Sequence, residues 1–287
     1  MLRDRYRIIL QTEWNGQPVD AMIALHARRS AQSIERFHSG GGTLAVVLTG
    51  TDLYKDLPGS REAAASLDMA GRIVVLQDDA PRLLEPRWRR KSTVIFQSAP
   101  TLATHAKRRG RLDCVVVGHL REEKDPDTVF RAVHLLPAGL PITIRHIGAA
   151  LDPQLGARAE ALQRSDPRYR YSGGLPRGLV RAAMKAAHLL IHSSVVEGGA
   201  NVIVEAITAG TPIVASRISG NVGMLGHNYP GYFEPRDASG LATRLVQFLE
   251  DPDYSSLLRA RCAVRRKLFT PRAEAKALHG LVVDLLR

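Results

Sequence analysis

The sequence has few cysteines and aromatic residues, and it lacks an apolar stretch long enough to span a bilayer. Its 287 residues include two cysteines, Cys114 and Cys262, which is too few for a disulfide framework or a cysteine metal cluster. Cys114 opens the apolar run CVVVG, so we expect a buried, unreactive thiol. With no signal-peptide pattern and no spanning segment, we expect a cytoplasmic protein without stable membrane insertion.

Acidic residues are in the minority, since 28 Asp and Glu stand against 40 Lys and Arg, for a formal net charge of +12. The basic residues form short scattered runs, such as residues 87–91 and 107–109. Neither zinc-finger spacing nor an RNA-binding aromatic pattern accompanies them, and aromatics make up 5% of the chain. The pattern argues against nucleic acid as the main partner, whereas a positive field also attracts small phosphorylated substrates.

Short apolar runs alternate with helical sequence along the chain. Strands are predicted at residues 20–27, 42–50, 71–77, 92–98, 112–120, 142–148, 169–174, 188–194 and 213–216. Helices are predicted around residues 126–136, 153–164, 176–187 and 201–210, and in the tail after residue 239 with a break at Thr270-Pro271. The alternation predicts parallel sheets covered on both faces. Two such blocks, joined by a basic linker at 101–111, predict an α/β fold of two Rossmann-like domains.

We predict an N-terminal domain at residues 1–108, a C-terminal domain at 109–268, and a helix at 269–287 that packs back on the N-terminal domain. A Rossmann-like domain usually begins with a strand, a Gly-rich loop and a helix. Residues 1–10, MLRDRYRIIL, are interpreted as the end of that helix running into the second strand. The first strand and its loop are therefore expected to be missing.

Four loops that follow predicted strands carry polar residues: HARRS, TGTDLY, GHLREEK and SSVVEGGAN. Ligands of open parallel sheets bind beyond the carboxyl ends of the strands. A cleft between the two domains would collect all four loops.

Glu197 and Glu205 form the most informative pattern, with seven residues between them and a strand before them. Gly198 and Gly199 let the backbone approach a ligand, and Asn201 is predicted as the N-cap of the following helix. Free N–H groups at the helix start suit a diphosphate, and carboxylates accept hydrogen bonds from sugar and ribose hydroxyls. The pattern predicts a nucleoside diphosphate sugar site. The alternative is a plain loop glutamate and an early-helix glutamate stabilised by the macrodipole.

This segment resembles the donor-binding motif of GT-B glycosyltransferases of the family 4 type, in which an E-x7-E pair holds a nucleotide sugar. The resemblance implies that Glu197 contacts the transferred sugar and that Glu205 contacts the ribose. It implies further donor contacts by Gly118, His119, Gly198, Gly199, Ala200, Asn201 and Val202.

The segment GHLREEKDP resembles the Gly-Arg-Leu…Lys segment of the same superfamily, whose basic side chains neutralise the departing diphosphate. Lys124 matches the lysine, His119 stands where arginine is usual, and Arg121 is the residue that would compensate. A histidine near position 26 can face the donor sugar in that superfamily, although a lone histidine at a strand end can also be structural. The resemblance thus implies a catalytic set of Glu197, Lys124, Arg121 and His26.

The loops after the first two strands supply candidate acceptor residues. Arg28 and Arg29 suit an anionic acceptor because guanidinium groups match phosphate geometry, but each also suits a solvated helix start. Residues Thr49, Gly50, Thr51 and Asp52 suit a polar substrate loop, and Thr51 or Asp52 suits a helix N-cap equally well.

The remaining polar side chains are assigned less specific positions. His146 and His192 lie in apolar strands and are predicted as core histidines. Residues 219–223 are predicted as a loop that borders the donor. No group of His, Cys and Asp has metal-ligand spacing in the sequence.

Six segments together resemble the selenosugar synthase family of selenoneine biosynthesis, over nearly the whole chain. They are ALHARRS, LTGTDLY, GHLREEKDP, GAALDP, VVEGGANVIVEA and SRISGNVGMLGHNYPGYF. The resemblance implies a UDP-sugar (UDP-GlcNAc or UDP-glucose) and selenophosphate as substrates, a new C–Se bond, and no cofactor or bound metal. Two alternatives stay open: a family 4-type glycosyltransferase with a hydroxyl acceptor, and a non-catalytic nucleotide-sugar-binding protein.

Overall fold

The computed structural model describes residues 1–103 and 105–287 and divides into two compact units. Unit 1 consists of Met1–Ser98 and Leu268–Arg287, and unit 2 consists of Ala99–Lys267. Relative to the sequence-based division, residues 99–108 belong to unit 2, and the C-terminal segment belongs to unit 1. Each unit is built on one parallel sheet.

Unit 1 contains a four-stranded parallel sheet in the order β1-β2-β3-β4. The strands are β1 (Ala21–Leu25), β2 (Thr43–Val47), β3 (Arg72–Val75) and β4 (Ser92–Val94). The α-helices are α1 (Ala31–Ser39), α2 (Arg61–Met69), α3 (Pro86–Arg89) and α11 (Pro271–Leu285), and a π-helical turn spans Asp52–Asp56.

Apolar side chains cover both faces of the unit 1 sheet. Ile34 of α1 and Leu67 of α2 belong to the same buried cluster as Val46 of β2. Leu281 of α11 belongs to a second cluster with Ala45, the neighbour of Val46 in the strand. Because successive strand residues point to opposite faces, the α1–α2 pair covers one face and α11 covers the other, as parallel sheets require.

Unit 2 contains a six-stranded parallel sheet in the order β10-β9-β8-β5-β6-β7. The strands are β5 (Leu112–Val117), β6 (Ile142–Ile147), β7 (Tyr169–Tyr171), β8 (Leu189–His192), β9 (Ile213–Ser216) and β10 (Tyr232–Phe233). The chain proceeds outward from β5 to β7, then returns to place β8 on the other side of β5. The strand order therefore reverses between β5 and β8, where open α/β sheets form a crevice for ligands.

Unit 2 contains the α-helices α4 (Pro126–Leu135), α5 (Pro153–Ser165), α6 (Arg177–Ala186), α7 (Asn201–Ala209), α8 (Ser219–Leu225), α9 (Ala238–Glu250) and α10 (Pro252–Arg265). An aspartate caps the first turn of α4, α5, α9 and α10. Asp152 and Asp251 accept hydrogen bonds from the first turns of α5 and α10, each directly before a proline at the first helical position. Across the described parts of the chain, every helix is too short or too polar to cross a bilayer.

Three local predictions are wrong. Residues 1–20 form turns and bends without a helix or strand, so residues 1–10 are not the end of a helix running into a strand. Residues 219–223 lie in α8 instead of forming a loop. Several strands are shorter than their apolar runs, because the flanking residues lie beyond the parallel ladder; β4, for example, ends at Val94.

Arg168 joins the end of α4 to the start of β7. Its guanidinium donates to the carbonyl oxygens of Val133 and Leu136 at 2.9 and 3.0 Å and to the carboxylate of Asp166 at 2.6 Å. The hydrogen bond from Arg168 lowers the pKa of Asp166 below its ordinary value. A carboxylate with a lowered folded-state pKa stabilises the fold above its unfolded pKa, and this contribution is lost as pH falls through the folded value.

We expect Arg168→Met to lower the free energy of unfolding by about 3 kcal/mol at pH 7, because it leaves Asp166 and several carbonyl oxygens unpaired. The deficit relative to the unmodified chain should shrink below about pH 4, where the unfolded carboxyl group becomes protonated. Urea unfolding followed by far-UV circular dichroism at pH 7 and pH 3 measures both effects. Arg164→Met, at an exposed position of α5, is the control. Equal losses in the two variants would contradict the assignment.

Candidate functional site

Two loops of unit 2 meet where the strand order reverses. After β5 the chain forms a 3-10 turn at Glu122–Lys124, and after β8 it forms the loop of residues 193–200. The backbone N–H of Val195 donates to the carbonyl oxygen of Glu123 at 2.9 Å, and the Ser193 hydroxyl donates to that of Lys124 at 2.9 Å. These two hydrogen bonds hold the predicted donor loops together at the carboxyl ends of β5 and β8.

The side chains of Lys124 and Glu197 form an ion pair in this crevice. Lys124 Nζ lies 2.5 Å from Glu197 Oε1, and His192 Nε2 lies 3.3 Å from the same oxygen. Burial alone would raise the pKa of Glu197, but His192 and Lys124 outweigh it and hold the pKa well below its ordinary value. Glu197 is therefore ionised at neutral pH. His192 is buried as predicted for a core histidine, but it also contacts the site, which its apolar neighbours in the sequence did not indicate.

Gly220 lets α8 pass close to the Glu197 loop. A Cβ atom added at Gly220 would lie 2.8 Å from the Glu197 Cβ and would overlap the Glu197 carbonyl oxygen. Any larger residue at position 220 would displace the loop that carries the carboxylate. The residues predicted to border the donor therefore lie in a helix that supports Glu197.

Glu205 lies in α7 and is paired with arginines of α6. Arg177 donates from Nε at 3.0 Å and from Nη2 at 2.8 Å, both to Glu205 Oε1. Arg181 Nη1 lies 3.9 Å from the same oxygen. Glu205 is buried, so these arginines compensate a charge that would otherwise be costly in the protein interior. The sequence did not reveal either arginine, because both lie more than twenty residues before the glutamate.

The start of α7 differs from the prediction in its capping. Asn201 is the first helical residue, Ala200 occupies the N-cap position, and no side chain caps the helix. The prediction of Asn201 as the N-cap is therefore wrong, and the first N–H groups of α7 receive no side-chain cap. Gly198 and Gly199 precede the helix, and Val202 follows Asn201 in its first turn.

The remaining predicted donor residues lie along the loop after β5. A Cβ atom added at Gly118 would lie 3.5 Å from the Lys124 side chain, so the two residues are close neighbours. The exposed His119 accepts a hydrogen bond through Nδ1 from the backbone of Ala149 at 3.0 Å. Arg121 Nε lies 3.9 Å from Glu123, and the Arg121 side chain is largely exposed. His119 thus supports the adjacent loop after β6, and Arg121 is the more accessible cation.

In unit 1, Asp52 connects the loops that follow β1 and β2. Its Oδ1 accepts from the backbone of Ala27 at 2.8 Å, and its Oδ2 accepts from the backbone and hydroxyl of Thr49 at 2.8 and 2.9 Å. Oδ1 also lies 2.6 Å from His26 Nδ1. Asp52 is fully buried, so it holds these loops instead of facing a ligand or capping a helix, which corrects both sequence-based roles.

His26 occupies an unusual backbone conformation at the end of β1. Its φ of 76° lies in the left-handed region, which is uncommon for a residue other than glycine. His26 is buried, and its Nε2 lies 3.5 Å from Asp56 Oδ2. Asp52 and Asp56 therefore flank the two ring nitrogens, and the strained backbone is maintained by the contacts of the surrounding loops.

A polar pocket of ≈ 460 Å³ lies in unit 1 next to the loops that follow β1 and β2. Its walls are formed by Arg28, Arg29, Thr51, Asp56 and Glu62. An adjoining pocket adds Lys55 to this surface. Three of the six predicted acceptor residues thus reach the pocket, whereas Thr49, Gly50 and Asp52 belong to its supporting loop.

Among the described residues, one group has possible metal-ligand atoms within 4.8 Å of one another, and it consists of His26, Asp52 and Asp56. Sequence spacing did not indicate this group, because the fold brings its members together. Both oxygens of Asp52 already accept N–H bonds, and Arg28 donates to Asp56 at 2.9 Å. These contacts are typical of a hydrogen-bonded cluster.

Two predicted core residues are confirmed. His146 is buried, and burial lowers its pKa to about 4 while Tyr169 lies 2.9 Å from its Nδ1. Cys114 is buried in β5, where burial raises the pKa of the thiol well above its ordinary value. Neither group is available for chemistry at neutral pH.

Residues 101–266, which are more than half of the chain and nearly all of unit 2, match the family Glycosyl transferases group 1. The chain belongs to this family. The matched segment includes the six-stranded sheet of unit 2 and the loops and helix that carry Lys124, Glu197 and Glu205.

Solved structures of similar fold include complexes with UDP and a sugar. HepE of Anabaena, solved in complex with UDP and glucose, has 15% sequence identity and a TM-score of 0.72 over 92% of this chain and 78% of that chain. The sucrose-phosphate synthase of Thermosynechococcus elongatus has 20% identity and a TM-score of 0.74 over 93% and 73%. The pneumococcal O-GlcNAc transferase GtfA, in complex with UDP and GlcNAc, has 16% identity and a TM-score of 0.74 over 92% and 57%. These similarities confirm the predicted α/β GT-B fold with two parallel sheets.

We expect Asp52→Ala to lower the free energy of unfolding of unit 1 of this glycosyl transferase by about 3 kcal/mol, because several buried donors lose their acceptor. Both tryptophans of the chain, Trp14 and Trp88, lie in unit 1, so tryptophan fluorescence during urea unfolding reports on that unit. Asp20→Ala removes an exposed carboxylate of the same unit and should change the stability by less than about 0.5 kcal/mol. Similar unfolding curves for the two variants would contradict the structural role of Asp52.

Proposed function

We propose that this glycosyl transferase moves a hexosyl unit from a UDP-sugar, UDP-GlcNAc or UDP-glucose, to selenophosphate. The selenium atom attacks the anomeric carbon, the bond from that carbon to UDP breaks, and a C–Se bond forms. Hydrolysis of the Se–P bond by water then yields the selenosugar and phosphate. The observation that carries the donor half of the proposal is the crevice of unit 2, where Lys124, Glu197 and Glu205 lie on the loops and helix beyond β5 and β8.

The donor sugar is assigned to Glu197. Among the described residues, Lys124 and His192 both contact Oε1 of this carboxylate, and its other oxygen has no hydrogen-bond partner. An ionised carboxylate with one free oxygen accepts hydrogen bonds from sugar hydroxyls. Glu205 is assigned to the ribose, and solved complexes of similar fold that hold UDP and a sugar support a uridine nucleotide as the donor.

The diphosphate is assigned to Lys124, Arg121 and the start of α7. The N–H groups of the first turn of α7 lack a side-chain cap, and helix starts of this kind favour anions. The adjacent backbone of Gly198, Gly199, Ala200, Asn201 and Val202 is assigned as the source of further N–H donors. Positive charge here stabilises the negative charge that develops on the leaving UDP. Gly118 and His119 support the loop, and neither a cofactor nor a bound metal is assigned to the reaction.

The acceptor is assigned to the pocket of unit 1. Arg28 and Arg29 provide guanidinium groups that suit the oxygens of selenophosphate, and Lys55 adds a third cation. Thr51 offers a hydroxyl at the same surface. The specific choice of selenium rests on the resemblance of six sequence segments to the selenosugar synthases, since basic side chains recognise the phosphate part alone.

One observation favours a second candidate function. His26 and Asp52 form a pair at 2.6 Å, an arrangement in which a carboxylate orients a histidine that acts as a general base. Selenophosphate already carries an anionic selenium and requires no base, whereas a hydroxyl acceptor must lose a proton. A family 4-type reaction on a hydroxyl acceptor is therefore the second candidate.

The function is tested by incubating the protein with UDP-GlcNAc or UDP-glucose and either selenophosphate or a panel of hydroxyl acceptors. With selenophosphate, we expect UDP release and a product that shows the selenium isotope pattern by mass spectrometry. The hydroxyl acceptors should give neither, and EDTA should not reduce the reaction with selenophosphate. UDP release that depends on a hydroxyl acceptor, and that His26→Gln abolishes, would support the second candidate instead. Binding of UDP-sugar without turnover of any acceptor would indicate a non-catalytic binding protein.

We expect Glu205→Ala to weaken UDP binding about tenfold or more, because hydrogen bonds to a charged acceptor contribute roughly 1.5–3 kcal/mol. Isothermal titration calorimetry measures the change. Glu160→Ala, at an exposed position of α5, is the matched control and should bind UDP normally. Unchanged affinity of Glu205→Ala would exclude the ribose assignment.

A further inference from the structure

We infer that a ribose hydroxyl of the donor nucleotide is held between Glu205 and Arg181, and that Arg177 positions Glu205 for this contact. The inference rests on the proposed function, in which Glu205 binds the ribose. It adds two residues of α6 to the donor site that neither the family motif nor the sequence indicates.

Arg177 fixes one oxygen of the Glu205 carboxylate. Its Nε and Nη2 both donate to Oε1, at 3.0 and 2.8 Å, and Oε2 has no hydrogen-bond partner among the described residues. The carboxylate side chain is 8% exposed and that of Arg177 is 68% exposed. Arg177 therefore approaches from the solvent side, compensates the buried charge, and leaves acceptor capacity on the glutamate.

Arg181 contributes a buried donor that is not in use. Its Nη2 donates to the carbonyl oxygen of Pro100 at 2.6 Å, which fixes the guanidinium plane. Its Nη1 is buried and has no hydrogen-bond partner in the described part of the chain. Buried polar groups in native proteins are nearly always hydrogen-bonded, so an unused buried N–H indicates a group that the protein alone does not supply.

The geometry of the two side chains suits a hydroxyl group. Arg181 Nη1 and Glu205 Oε1 are 3.9 Å apart, too far for a hydrogen bond, so the guanidinium and the carboxylate are neighbours that one hydroxyl can contact together. A hydroxyl both donates and accepts, so it can donate to Oε2, the carboxylate oxygen that Arg177 leaves without a partner, and accept from Arg181 Nη1. A deoxyribose lacks the oxygen for this position, so the pair would select ribonucleotides.

The alternative is that both arginines serve only to balance the charge of Glu205. Under that alternative, replacing either arginine would weaken the binding of every uridine nucleotide equally, because α6 and α7 would become disordered. Under the proposed contact, replacement would weaken the binding of UDP and would leave the binding of a nucleotide without the relevant hydroxyl nearly unchanged. The ratio of the affinities for ribo- and deoxynucleotide therefore separates the two explanations.

The experiment measures the binding of UDP, 2′-deoxy-UDP and 3′-deoxy-UDP to the full chain by isothermal titration calorimetry. We expect the unmodified protein to prefer UDP over at least one deoxy analogue by about fivefold or more, which corresponds to about 1 kcal/mol. Arg181→Lys and Arg177→Gln should each reduce that preference several-fold, with little change for the analogue that lacks the hydroxyl. Arg164→Gln removes an exposed arginine of unit 2 and should retain the preference.

Glu205→Gln distinguishes failure of this inference from failure of the proposed function. If Glu205→Gln abolishes the preference while Arg181→Lys and Arg177→Gln retain it, the role of the arginines is wrong and the ribose assignment stands. If Glu205→Gln also retains the preference, the ribose assignment is wrong. Should Arg181→Lys fail to fold, judged by circular dichroism, the exposed Arg177→Gln decides the question. A preference absent from the unmodified protein would overturn the inference.

Discussion

The ion pair of Lys124 and Glu197 is the interaction on which the unit 2 site depends. It joins the loop after β5 to the loop after β8, at the point where the strand order of the sheet reverses. Its burial makes each partner necessary to the other, because a lone charge in the interior would be expensive. The backbone bond from Val195 to Glu123 and the close approach of Gly220 both serve to keep this pair in place.

Buried carboxylates with nearby cations or N–H groups recur throughout the molecule. Glu205 is paired with Arg177, Asp52 accepts backbone N–H groups beside His26, and Asp166 is paired with Arg168. Because these buried carboxylates are paired, part of the positive charge of the chain is internal compensation. The cations that stay exposed, including Arg121 and Arg28, are those that an anionic ligand can reach.

The alternating strands and helices, the two parallel sheets and the position of Glu197 could be predicted from the sequence, because strand composition and a Gly-rich loop before a helix are local signals. The partners of the key carboxylates could not, since Lys124 is 73 positions from Glu197 and Arg177 is 28 from Glu205. The capping of α7 was mispredicted because Asn201 suits either the cap or the first turn. Asp52 was predicted to contact a ligand because the sequence does not show whether a polar residue after a strand faces solvent or the protein interior.

Helix α11 has a consequence for the order in which the two units form. Leu281 and Leu285 complete the apolar cluster that covers one face of the unit 1 sheet, with Ala45, Val74 and Ile95. Unit 2 is one continuous segment, Ala99–Lys267, inserted between the two segments of unit 1. During synthesis all residues of unit 2 are made before α11, so one apolar face of the unit 1 sheet stays uncovered until α11 has been made. The unit 1 sheet therefore depends for its cover on a helix that is made after the whole of unit 2.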